Sequence, residues 1–142
     1  MYGYVQRGSD VTLFVQPSTA APAGSATMNN GITSGRRTVV GLHNTQPGQA
    51  RGYAITGDTL MFLDFPGSAF TQAWDVNPSG TIVGNYRDAG GRMHGFYYDG
   101  SSFVSLDVPA SLLTVARGIN PQGHIVGVYN DAAGAHGFVL RR

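Results

Sequence analysis

Residues 117–138 read RGINPQGHIVGVYNDAAGAHGF, and residues 74–96 read WDVNPSGTIVGNYRDAGGRMHGF. The two lines share one frame: an Asn-Pro-x-Gly turn, an Ile-Val-Gly run ending in Tyr, a short polar loop, then His-Gly-Phe. A looser copy, VVGLHNTQPGQARGY, ends at Tyr53, with Arg51 and Tyr53 in place of the His and Phe. The Gly of the Val-Gly pair recurs at Gly41, Gly84 and Gly127, 43 residues apart both times. A Gly before an aromatic recurs at Gly3, Gly52, Gly95 and Gly137, and Pro17, Pro66 and Pro109 each follow one of the first three by 14 residues. Three landmarks that keep phase identify a structural repeat. The first copy carries six extra residues between Pro17 and Gly41, in a loop-like segment rich in Ala, Gly, Ser and Thr.

Each unit reads as four short strands, in the second full copy 73–77, 81–86, 94–98 and 103–108. The turns between them have a chemistry of their own. In Asn-Pro-Ser-Gly at 77–80 and Asn-Pro-Gln-Gly at 120–123, Pro presets φ and Gly supplies a positive φ. Asp99-Gly100 and Gly57-Asp58 are hairpin signals, and 87–91 and 130–134 read as slightly longer hairpin loops. One connection per unit is longer and more apolar, at 66–72 and 109–115. Three hairpins followed by one long link is the wiring of a propeller blade, with the 73–77 type innermost and the 103–108 type outermost.

The same residues resemble the HAF repeat of bacterial extracellular repeat proteins, through Gly-Ile-Asn-x-x-Gly-x-Ile-Val-Gly-x-Tyr followed by His-Gly-Phe. The match is clearest at 73–98 and 116–138 and weakens before residue 60. The resemblance implies a propeller-type fold and an extracellular or periplasmic location, and it implies no reaction. Cut at the long links, one repeat domain over 1–142 divides into a partial unit at 2–16, whole units at 26–65 and 73–108, and a partial unit at 116–142. About three blades do not close a ring, since propellers run from ~4 to 8 blades, and open strand edges are sticky. The expectation is an all-β homodimer whose ring a second chain completes, with 11–15 of one copy beside 137–140 of the other. A single-chain β-trefoil, which also uses three four-stranded units of this length, is the alternative, and a segment of a longer repeat array is a third.

Composition agrees with an all-β chain. All nine basic residues are Arg and all eight acidic residues are Asp, so the charged helix formers Lys and Glu are missing, while Gly numbers 21 and Pro seven. A net charge of +1 selects neither nucleic acid nor a membrane surface. The basic pairs Arg36-Arg37 and Arg141-Arg142 are too short for a nucleic-acid patch. No apolar run approaches the ~18 residues of a membrane-crossing helix, and no basic-then-apolar leader opens the sequence. Cys is absent, which excludes disulfides and thiol chemistry. There is no Gly-x-Ser-x-Gly, and motifs that need Glu are excluded. Neither a catalytic residue, a metal nor a cofactor is therefore assigned.

The residues left for binding are Trp74, Tyr86, Asp88, Arg92, His94, Arg117, Tyr129, Asn130, Asp131 and His136. His94 and His136 share a repeat position with Arg51 and Tyr2, which reads first as a hydrogen-bonding element between hairpins, since Arg is no metal ligand. Asp88 and Asp131 read first as turn caps, and Asp64, Asp75 and Asp107 as exposed strand residues. The sharper expectation is a carbohydrate site on the loop face, where aromatic rings stack on sugar and polar groups fix hydroxyls. Trp74 and its counterpart Arg117 belong to the innermost strands, where Trp74 fills the core or lines a channel mouth. The expected function is a non-catalytic binding module, lectin-like in chemistry. An assembly module working through strand exchange is the alternative.

Overall fold

The structure, a computed structural model, describes residues 3–7, 9–14, 26–33 and 38–142. None of them is helical. The described residues form thirteen strands: β1 (Gly3–Arg7), β2 (Asp10–Phe14), β3 (Thr27–Ile32), β4 (Thr38–Gln46), β5 (Gln49–Thr56), β6 (Thr59–Leu63), β7 (Phe70–Val76), β8 (Ile82–Arg87), β9 (Met93–Tyr98), β10 (Phe103–Leu106), β11 (Leu113–Ile119), β12 (Ile125–Asp131) and β13 (Gly134–Leu140). Tyr2, Val15, Pro17, Arg36 and Arg37, on which parts of the sequence reading rest, lie outside the described residues.

Consecutive strands pair antiparallel. β3 to β6 form one four-stranded meander, β7 to β10 a second, and β11 to β13 a three-stranded sheet. The first two meanders touch through one parallel bridge, Ala50 with Phe70. β1 and β2 form a separate hairpin, in which Gly3 pairs with Phe14 as Gly52 pairs with Leu63 and Gly95 with Leu106. The hairpin thus has the register of a third and fourth strand. The described strands do not close into a barrel.

The repeated glycines explain the motif. Gly41, Gly84 and Gly127 pair directly with Tyr53, Phe96 and Phe138. A Cβ on Gly84 would lie 2.0 Å from the Gln72 carbonyl oxygen and 2.7 Å from the Phe96 ring, and one on Gly127 would lie 2.1 Å from the Val115 oxygen and 2.6 Å from the Phe138 ring. The aromatic ring of the third strand lies across the bare backbone of the second, so the pair recurs as a unit.

The sheets stack in chain order. β7 packs against β3, β4 and β5, and β11 against β7, β8 and β9. Val40, Ala54 and Leu63 of the first sheet bury Ala73, Val76 and Ile82 of the second. Val83 of the second, with Tyr97 and Leu106 beside it, packs against Ala116, Ile119 and Ile125 of the third. The second strand of the middle sheet, β8, therefore lies between two sheets, which is why it carries an unbroken apolar run rather than an alternation.

Two sequence expectations need correction. The long links are shorter than 66–72 and 109–115, because the inner strands already begin at Phe70 and Leu113. Thr71 and Thr114 account for the difference: their hydroxyls accept the backbone N–H of Phe65 and Val108 across the link, which draws those residues into the strand ladder. The loops at 87–91 and 130–134 are also unequal. Gly91 turns back to Asp88 with φ 87°, whereas β12 and β13 are joined by Ala132 and Ala133 alone.

The Asn-Pro turns form as expected. Gly80 N–H bonds the Asn77 carbonyl and Gly123 N–H the Asn120 carbonyl, both at 2.9 Å, with the glycines at φ 90° and 85°. The Asn side chains close each turn by accepting from Thr81 N–H and His124 N–H.

Candidate functional site

Two groups of side chains stand out, one at the loop end of the sheets and one on the inner strands. At the loop end, Ser68 hydroxyl donates to the Arg87 carbonyl, Arg92 donates to the Ser111 carbonyl, and Leu112 N–H bonds the Asn130 carbonyl. These bonds bring the links and the β8–β9 and β12–β13 loops together.

His94 is held between two carboxylates. Its Nδ1 lies 2.9 Å from Asp107 and its Nε2 3.0 Å from Asp88. A ring with a carboxylate at each nitrogen uses both N–H bonds only as imidazolium. Burial alone lowers the His94 pKa, but the bonds to Asp88 and Asp107 outweigh it and the net direction is upward from 6.5. Asp88 is held below its usual range by the His94 bond first and the Arg92 N–H second. Tyr86 pairs with His94 across the strands and stacks on it at 5.0 Å. Its other face lies on Phe65 at 3.5 Å, and its hydroxyl meets Ser105. Tyr86 is sealed on both faces and offers no platform to a sugar.

The first sheet repeats this arrangement with a permanent charge. Arg51 grips Asp64 through Nε, 3.0 Å from Oδ2, and lies over the Phe62 ring. His43 stands opposite Arg51 where Tyr86 stands opposite His94. Its pKa is lowered by burial and by the neighbouring Arg51 charge. Asp64 and Asp107 are thus not idle strand residues but the fixed ends of a cross-strand pair. Asp75 reaches across sheets and accepts the Ile119 N–H at 2.9 Å.

The third sheet is looser. His136 bonds Asp131 at 3.1 Å and stacks on Tyr129 at 5.1 Å. Asp131 accepts the Ala133 and Gly134 N–H groups, and the first of these does most to lower its pKa. The residue at the position of Phe65 is Val108, so the half-buried Tyr129 ring has His136 as its one aromatic neighbour among the described residues. The Asn130 side-chain amide has no hydrogen-bond partner among the described residues.

On the inner strands, a β-bulge falls at Asn30, Trp74 and Arg117, the same repeat position each time. Asn30 donates to the Ala73 carbonyl at 2.8 Å. The half-buried Trp74 donates from its indole nitrogen to Asn85 Oδ1 at 2.6 Å. The exposed Arg117 guanidinium lies 4.3 Å from the Trp74 ring centroid, and no carboxylate pairs with it among the described residues.

Of the ten expected binding residues, Asp88, Arg92, His94 and Tyr86 come together with Asp107, Phe65 and Ser111 in one internally satisfied cluster. Tyr129, Asn130, Asp131 and His136 form a second cluster with open valences, and Trp74 with Arg117 a third. Phe65 and Asn85 have no signal of their own in the sequence, and Asp107 reads there only as an exposed strand residue. The repeat period was the available signal, because Asp64 and Asp107 are spaced as Arg51 and His94 are. Among the described residues no group of three or more His and Asp side chains is arranged to hold a metal ion. No protein-family model matches the chain, and no curated protein matches it.

Proposed function

We propose that the chain is a non-catalytic binding module of the β-propeller type, working as a homodimeric ring. The four-stranded meanders are its blades, and two chains supply about six, within the ~4 to 8 of known propellers. Supporting this over a trefoil is the stacking of successive meanders in chain order, the first two joined by the single Ala50–Phe70 bridge. The reading without catalysis is supported by His94, Asp88 and Asp107, which are spent on one another. A location outside the cytoplasm follows from the HAF-repeat resemblance and belongs to the same proposal.

The ligand reading rests on one observation: beside the satisfied cluster of the second sheet, the third sheet keeps a Tyr129 ring stacked on His136 alone among aromatic residues, an unpaired Asn130 amide and an Asp131 carboxylate. Aromatic surface next to planar polar groups suits a carbohydrate. Screening the full chain on a glycan array tests this, with Tyr129→Ala and Asn130→Ala abolishing any binding and Tyr86→Phe leaving it intact. Binding that survives both alanine variants removes this site from the reading.

An assembly module is the second reading, favoured by the β1–β2 hairpin. Its register is that of a third and fourth strand, so β2 is matched to the free edge of β13, with Phe14 opposite Gly137. A Cβ on Gly52 or Gly95 would meet the fourth strand of its sheet at 2.9 and 3.0 Å, whereas one on Gly137 would find its nearest neighbour at 3.8 Å. The place of a fourth strand beside β13 is thus open.

A further inference from the structure

We propose that the outer face of the third sheet, carried by Val126, Val128 and Val139, docks the first sheet of a second copy of this chain at Ile32. The inference rests on the homodimeric part of the reading above and names its interface.

The argument compares equivalent positions. Val40, Val83 and Val126 occupy one place in the three sheets; the first two are 0% exposed and the third 46%. Leu42, Asn85 and Val128 occupy the next inward position of that face and are 3%, 2% and 37% exposed. Val139 stands where Ala54 stands in the first sheet, 63% exposed against 3%. In β12 Ile125, which faces the second sheet, is buried and the alternate Val126 and Val128 are exposed, although its sequence, Ile-Val-Gly-Val-Tyr, is as apolar as that of the doubly buried β8. A strand with two apolar faces and one cover has a missing neighbour.

The identity of that neighbour follows from the two junctions already present. In the first, Val40 meets Val76; in the second, Val83 shares a cluster with Ile119. Val76 and Ile119 hold the same place on their inner strands, two residues beyond the bulge. The residue at that place in the first sheet is Ile32, which is 56% exposed where Val76 is 4%. The molecule therefore carries both halves of a third junction, Val126 at one end of the stack and Ile32 at the other; both side chains are exposed, while Val39, which pairs with Ile32, is 3% exposed, so the incoming sheet meets the first sheet at its Ile32 edge. A shallow recess of about 450 Å³ bordered by Gly118, Ile119, Val126 and Val139 lies where the incoming side chain would seat. A polar contact crosses the second junction, where Asn77 donates to the Asn120 carbonyl; Asn120 holds the equivalent place at the third, its side-chain nitrogen 3.4 Å from His124 Nδ1.

Head-to-tail contact of this kind either closes into a ring or runs on as a filament. Light scattering on the full chain is expected to give twice the 15.0 kDa chain mass. Val126→Asp is expected to weaken self-association at least tenfold with an unchanged far-UV circular dichroism spectrum, and Met61→Asp, on the outer strand of the first sheet, to leave it unchanged. The chain has no Cys, so mixing an Ile32→Cys variant with a Val126→Cys variant is expected to give the mixed disulfide. Crosslinking of Val126→Cys to itself alone overturns the occupant. A dimer indifferent to Val126→Asp overturns the surface and leaves the homodimer standing. A wild-type monomer at every concentration overturns both. Mass that grows with concentration, still lost in Val126→Asp, supports the surface and overturns the closed ring.

Discussion

Gly84 shows how tightly single atoms are specified. The Cβ of an alanine would overlap both the Gln72 carbonyl and the Phe96 ring, and backbone cannot yield as a flexible side chain does. Gly84→Ala is expected to cost about 3 kcal/mol or more, read as a lower denaturant midpoint at unchanged slope. His94 sets a pH dependence. Its folded pKa is raised above 6.5, so its contribution is fully present below 6.5 and is lost as pH rises through the folded value. Melting temperatures measured upward from pH 6.5 are expected to fall, and His94→Gln to flatten that slope. His43, whose pKa is lowered, acts below 6.5 and in the opposite sense, so the two windows separate. A melting temperature that does not fall above 6.5 in the wild type would show that the Asp88 and Asp107 bonds do not favour the charged ring.

At the level of elements, the links between sheets are the least regular parts, and one carries strain. Pro66-Gly67 and Pro109-Ala110 are equivalent turns, with Ser68 N–H bonding the Phe65 carbonyl and Ser111 N–H the Val108 carbonyl. Gly67 has φ 77°, and Ala110 is forced to φ 62° in the same place. The left-handed region costs a residue with a Cβ about 1–2 kcal/mol, and the greater chain entropy of glycine when unfolded returns part of that. Ala110→Gly is expected to stabilise the chain by about 0.5 kcal/mol, visible as a raised denaturant midpoint, and Gly67→Ala to destabilise it. At the hairpin tip, Asp99 accepts the Ser102 and Ser101 N–H groups, and its pKa falls to about 2. It caps the turn rather than serving chemistry.

For the whole molecule, the repeat is equal in sequence and unequal in burial. Val83→Ala, at a site closed on both sides, is expected to cost about 2 kcal/mol through lost transfer energy and a cavity. Val126→Ala, in the same repeat position, is expected to change the stability of the isolated chain by less than about 0.5 kcal/mol. Chemical denaturation of the two variants, at matched low protein concentration, measures the difference. Equal losses would mean that the third sheet is already covered within one chain.

Much of this architecture was legible before any coordinate. The period of 43, the Gly–aromatic pairing and the Asn-Pro-x-Gly turns are local chemistry: a bare backbone under a ring, a fixed φ beside a positive one, an amide closing its own turn. Those constraints act within a few residues or across one strand pair, so the sequence alone specified an all-β repeat and the order of its strands. It did not specify which valences are spent. Tyr86 and Tyr129 look alike in sequence, yet Phe65 stacks on one and the equivalent residue of the other is Val108, because the covering residue arrives from a link some twenty positions away. Nor did it distinguish Val83 from Val126, since burial belongs to the neighbouring sheet and not to the residue. Only the stacking of sheets, a sum of contacts between segments 43 residues apart, decides which face of a unit is core and which is left exposed.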